Sequence, residues 1–353
     1  YAKAIHTPAT SGVSVAKPGA KAGGISSPEL IVLDMFVQST SLKSLSFYGP
    51  DAPKEDVSIF GEQQTLFGTS LTYPLDRPDL LRSLHLSVAA GVTGRVIEIR
   101  PGGRGESIEL LHPELAVEFD QPIGFAELHE GIRARPSLIG NRLSLDYSLS
   151  AQQFLSTNSS AASFNRWTVD LRHEWPIYQT VYSTGPKQFN GPNDCSQSLS
   201  SGACPPVSWS RNRGGTITFR VLSSMSSLAA GSQVPFYLQR TLGGGDINGE
   251  QLLASYADYR YRGTQLILLQ EGIEHSIWGP LGAFAGAEQG NISETSSVLD
   301  LKGLVPSYTV GLSVRLGGLP VVKIGFSWGK EGWHSTAIMA QSLLGGSARP
   351  SLF

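Results

Sequence analysis

The sequence predicts an all-β fold, an antiparallel transmembrane β-barrel of about 12–16 strands with one lumen-directed loop, and three observations point there. Apolar residues recur with period two in segment after segment of the chain. No run of about 18 apolar residues occurs, so no helix is available to cross a bilayer. Only 16% of residues are charged, against about 25% in a typical soluble domain, and glycine is plentiful, at 40 of 353 residues. Lipid offers no partner to a free backbone N–H or C=O, so a membrane chain without helices has to close into a barrel. A soluble secreted β-sandwich shares both the alternation and the low charge, and it stands as an alternative on these grounds alone.

Five segments carry the alternation most clearly. Leu143, Leu145, Tyr147 and Leu149 share a face opposite Ser144, Asp146, Ser148 and Ser150, and Trp167, Val169, Leu171 and Trp175 lie opposite Thr168, Asp170, Arg172 and Glu174. Ile217, Phe219 and Val221 alternate with Thr216, Thr218 and Arg220. Val310, Leu312, Val314 and Leu316 alternate with polar residues and glycine, as do Ile324, Phe326 and Trp328. Tryptophans near the ends of these runs (Trp167, Trp175, Trp328, Trp333) fit aromatic girdles at two membrane interfaces.

The pattern divides the chain into three parts. Residues 1–28, rich in Ala, Gly, Ser and Pro, read as a tail or linker; residues 29–344 form the barrel; residues 345–353 form a C-terminal tail. About twelve strands are expected, including 163–175, 214–226 and 257–275, with long connections at 177–213 and 227–256. The 177–213 connection is long where a short turn is expected. It holds the only cysteines, Cys195 and Cys204, whose close spacing suits a disulfide in an oxidising compartment. No second cysteine or histidine pair completes a zinc site beside them.

Other chemistries find little support. A net charge of -2 gives no basic surface for nucleic acid. Asp246, Asn248 and Glu250 have the oxygen density of a calcium loop but lack its later acidic ligands, and Gly243–Gly245 opens no strand–helix phosphate cradle. His129 and His275 are the acid-flanked histidines, and His275 next to Ser276 on a strand would point to the opposite face. No cofactor and no catalytic residue is assigned, and the expectation is a non-enzyme.

Four blocks in order carry a family resemblance: Ser44–Phe60 (SLSFYGPDAPKEDVSIF), Val234–Asp246 (VPFYLQRTLGGGD), Tyr256–Gly263 (YADYRYRG) and the run from Leu304 to Leu344 with its GKEG. Together they resemble the BamA/TamA superfamily of outer-membrane barrels, the bacterial surface antigens. The resemblance implies a barrel of about sixteen strands in the outer membrane of a Gram-negative bacterium, entered from periplasmic POTRA domains in the assembly factors. It also implies a loop, here 227–256, that folds into the lumen. Its Arg-Gly-aromatic motif falls on Ala254, Ser255 and Tyr256, so the aromatic is kept while the arginine and glycine are lost.

In the family that arginine pins the loop to an acidic residue, which here corresponds to Glu288. With it absent, Arg260 or Arg262 is the candidate partner for Glu288, because a guanidinium fork matches a carboxylate. Asp246, Tyr256, Arg260, Arg262 and Glu288 are thus the candidate loop and anchor residues. Residues 1–28 are too few for a POTRA domain, and further sequence is expected upstream; a leader is expected either to have been removed or to lie there too.

The function expected is a plugged barrel that scaffolds, assembles or translocates partner proteins, with a passive channel as the alternative. The expected partners are outer-membrane lipid, lipopolysaccharide and envelope proteins docking on 177–213.

Overall fold

A computed structural model describes residues 13–14, 31–49, 57–75, 84–101, 121–138, 143–184, 207–245, 251–293, 301, 303–316 and 319–339. The strands are β1 (Val13–Ser14), β2 (Val32–Phe47), β3 (Ser58–Pro74), β4 (Leu86–Pro101), β5 (Pro122–Ala134), β6 (Ser137–Leu138), β7 (Leu143–Ser156) and β8 (Phe164–Thr184). They continue with β9 (Val207–Leu228), β10 (Arg240–Leu242), β11 (Tyr261–Gly263), β12 (Gln265–Trp278), β13 (Leu281–Ser293), β14 (Val305–Leu316), β15 (Leu319–Gly329) and β16 (Gly332–Met339). All but β10 and β11 join one sheet of sequential antiparallel neighbours, in which β12 follows β9 directly and β6 pairs with β7.

The two faces of this wall differ as the alternation requires. Met35, Val37, Phe67, Leu312, Ile324 and Phe326 are exposed on the outer face. The inner face turns Glu62, Glu127, Arg166, Ser224, Arg315 and Ser327 away from solvent. An apolar outside over a polar inside is the reverse of a water-soluble sheet, and it is stable only where lipid covers the outside. The sandwich alternative also fails on topology: the described strands run as one wall with no second layer facing it. The wall curls, because a single loop touches the inner faces of β2–β5 and of β12–β14. The fold is an antiparallel transmembrane β-barrel.

Sequential pairing sorts the connections into two ends. At one end, the loop end, lie 157–163, the end of β9, the start of β12 and the two-residue turn 330–331; at the other, the turn end, lie the end of β8, the start of β9 and the two-residue turn 279–280.

Two boundaries differ from the sequence reading. β8 and β9 run into the stretch read as the 177–213 connection, pairing from Ile177↔Gly215 through a register shift to Thr184↔Val207. Pro176 donates no N–H and reads as a strand end, yet it is paired opposite Thr216 just before that shift. The other difference is at 257–275, where β12 begins only at Gln265. The alternating arginines and tyrosines before it lie in the loop.

Candidate functional site

Between β9 and β12 the chain leaves the wall, and its described residues 229–245 and 251–264 lie across the inner face. β10 and β11 pair within it, Thr241 opposite Arg262, and make it a compact double-backed strap. Its bend uses Gly243 and Gly244 at φ 115° and 53°. A Cβ on Gly244 would sit 2.1 Å from Asp258 Oδ1, and that carboxylate accepts the Gly245 N–H at 2.7 Å. Glycine is required because an L side chain has neither the conformation nor the room.

The first limb of the loop is held by rings. Val234, Phe236, Tyr237 and Leu238 are buried against Phe47, Phe60, Ile97, Ile99, Phe125 and Phe154 on β2–β7. Phe236 meets Phe47 edge-on at 5.5 Å and Phe60 at 5.3 Å. This T-shaped geometry sets ring edges against ring faces. Two arginines, Arg166 buried and Arg262 half-buried, cap limb carbonyls rather than pairing with acids in this contact. Arg166 donates to the Leu238 carbonyl and lies 5.1 Å and 5.2 Å from the Phe154 and Phe164 ring centroids. Arg262 donates to the Phe236 carbonyl and lies over the Phe47 and Phe60 rings. Burial away from water pulls the Arg262 guanidinium down to about 10. Arg240 reaches Ser224 Oγ at 3.2 Å and Thr168 Oγ1 at 3.3 Å.

The second limb is held mainly by polar contacts over a smaller apolar patch of Leu242, Leu252, Leu253 and Tyr256 against Leu222, Leu266 and Leu268. The Ala254 N–H donates to Glu288 Oε2 at 2.7 Å, and Gln270 Nε2 donates to Glu288 Oε1 at 2.6 Å. The Ser255 N–H donates to Ser307 Oγ at 3.0 Å. Tyr256 is 2% exposed; its hydroxyl donates to the Pro306 carbonyl at 3.1 Å and accepts the Lys330 N–H at 3.3 Å. Burial lifts this phenol above its usual range and keeps it a donor. Arg260 Nε donates to both oxygens of Glu331, at 2.8 Å and 3.1 Å, while its guanidinium lies 4.9 Å from the centroids of Tyr48 and Tyr261. That contact ties the end of β2, the loop and the β15–β16 turn together.

Room for this limb is left by Gly329. A Cβ there would fall 2.4 Å from Ser255 Oγ and 2.9 Å from the Pro306 carbonyl. Glycine on the wall is what admits the loop so closely.

Of the residues singled out from sequence, Tyr256, Arg260, Arg262 and Glu288 come together at this loop; Asp246, Cys195 and Cys204 lie outside the described residues. The partner expected for Glu288 is corrected. Neither Arg260 nor Arg262 takes it: the loop's own Ala254 amide and Gln270 do, while Arg260 reaches Glu331. The loop passes so close to β13 that a backbone N–H fills the place of an arginine side chain. Glu331, Phe236 and Ser307 are unassigned in the sequence reading although they stand in the GKEG, VPFYLQRTLGGGD and Leu304–Leu344 blocks, and Arg166 carries no distinguishing signal. Among the described residues no three side chains gather in a metal-holding group.

An apolar belt outside, a polar lumen and a loop folded inward define an outer-membrane β-barrel. CdiB from Escherichia coli is similar over 85% of this chain and 46% of its own, at a TM-score of 0.52 and 11% identity. BamA from Haemophilus ducreyi lacking POTRA domains 1-3 aligns over 88% of this chain and 65% of its own, at a TM-score of 0.43 and 12% identity. This chain therefore spans less than two thirds of either. No family model and no curated protein matches by sequence.

Proposed function

We propose that this chain is a non-enzymatic, plugged barrel of the bacterial outer membrane that scaffolds partner proteins of the envelope or helps to assemble or translocate them. The observation that carries the reading is the loop: one limb is buried in rings on β2–β7 and the other is bonded to β12–β16, so it bridges the lumen. Its anchors are Tyr256, Arg260, Arg262 and Glu288. The likeness in fold to CdiB supports the general kind of activity, and the lipid belt supports contact with outer-membrane lipid and lipopolysaccharide.

The docking element for envelope proteins is the stretch around 177–213, which leaves the turn end. There β8 and β9 stay paired beyond Ser144↔Glu174 and beyond Gly215↔His275, the last pairs with their neighbours β7 and β12. A ribbon whose edges have no partner strand among the described residues is a ready template for strand addition. Pairing of Cys195 with Cys204 would stiffen its tip and lower the entropy lost on docking.

Planar-bilayer recording tests the plug. The wild-type barrel is expected to conduct little, and a variant lacking 231–262 to open large steady channels. Equal large conductance in both would establish the passive channel instead. Deleting 186–204 while keeping the barrel folded is expected to remove co-purifying envelope proteins; their retention would contradict the docking role.

A further inference from the structure

The outer wall is not uniform. On β14 and β15 the outward positions are Tyr308, Val310, Leu312, Val314, Ile324, Phe326 and Trp328, all large and exposed. On the adjoining β12 and β13 the outward face is mixed: Ile273 and Ile277 are large and exposed, but Glu271, His275, Gln289 and three alanines, Ala283, Ala285 and Ala287, stand among them. Register fixes this assignment: Glu271 pairs with Phe219 and Ala287, both outward, while its neighbour Gln270 points in to Glu288.

Glu271 stands in the middle of its strand. β12 has 14 residues, which at a rise of about 3.3 Å and a tilt of about 45° span about 30 Å, the thickness of the hydrocarbon layer. Glu271 is six residues from Gln265 at one end and seven from Trp278 at the other, so it sits near the midplane. Its side chain is exposed and makes no hydrogen bond or ion pair among the described residues. Glu130, also outward, is only four residues from the end of β5 at Ala134 and can reach the rim. A carboxylate facing lipid at the midplane is unfavourable, and such residues mark functional contacts.

We infer that the outer face of β12–β13 docks the transmembrane wall of a different outer-membrane protein, one that presents a lysine or arginine to Glu271 at mid-depth. Charge selects the partner. A lipid ammonium lies at the headgroups, about 15 Å from the midplane. A second copy in the same orientation, related by a two-fold axis along the membrane normal, would set Glu271 against its own equivalent at equal depth. The alanines leave room for close approach, as small residues do at interfaces within membranes. The inference concerns the outer wall and is independent of the plug.

The test places a photo-crosslinking amino acid at Ala285, with Leu312 as the control, in the full chain in native outer membranes. The expected result is a discrete heterologous protein adduct from Ala285 and none from Leu312. The adduct should be lost in Glu271→Leu and kept in Glu271→Asp. An adduct that survives Glu271→Leu, an adduct to a second copy, or lipid adducts alone would overturn the proposal. Folding is controlled by heat-modifiable gel mobility. In phosphatidylcholine vesicles, where no partner is present, Glu271→Leu should raise the unfolding midpoint; a lowered midpoint would also overturn it.

Discussion

The two limbs of the lumen loop are held in opposite ways. The first presses Phe236 and its neighbours into a ring cluster on β2–β7, and its polar contacts are arginines capping its own carbonyls. The second lays less apolar surface on the wall and relies on Glu288, Ser307, Pro306 and Glu331 as fixed partners. Ring packing is non-directional and scales with the area covered, whereas the polar contacts fix register atom by atom. The first limb therefore supplies most of the holding energy, and the second decides where the tip lies.

That division sets the order of expected effects, read as accessibility of a loop cysteine to a thiol reagent from the lumen. Phe236→Ala should have the largest effect, about 3–5 kcal/mol as for other buried aromatics cut to alanine, releasing the first limb. A smaller effect than that of Arg260→Ala would reverse the assignment of roles. Arg260→Ala comes next, at about 2 kcal/mol for a charged pair only partly shielded from water. It should loosen the tip while the ring cluster stays closed. Tyr256→Phe removes one hydroxyl with two partners and should weaken docking by about 1 kcal/mol without changing the wall. Glu98→Gln, at an exposed pair with Arg100 on the outer rim, should leave accessibility unchanged; a measurable shift there would mean that the assay reports barrel stability rather than loop docking.

The sequence showed the wall more plainly than the anchors. Alternation at Leu143–Ser150 and Val310–Arg315 is a local property of neighbouring residues, so which side chains face out could be read directly. The loop was legible from its glycines and from the arginines and tyrosines after them. Which partner each anchor takes was not. Arg260 and Glu331 are 71 residues apart and meet only because the wall curls. Glu288 is held by a main-chain amide, a group every residue type carries. The run YADYRYR alternates like a strand in sequence, yet consecutive Arg260 and Tyr261 both reach Glu331; and Pro176 reads as the end of β8 because a proline ordinarily ends a ladder.

The central claim is that the loop rests in the lumen in this one register. It is tested most directly by a disulfide trap joining Ser255→Cys to Ser307→Cys, in a chain whose Cys195 and Cys204 are replaced by serine. The Ser255 amide and the Ser307 hydroxyl are 3.0 Å apart. Rapid, near-complete crosslinking in intact outer membranes, with bilayer conductance as low oxidised as reduced, is the predicted result. Failure to crosslink in a correctly folded barrel, or large conductance that persists after crosslinking, would contradict it.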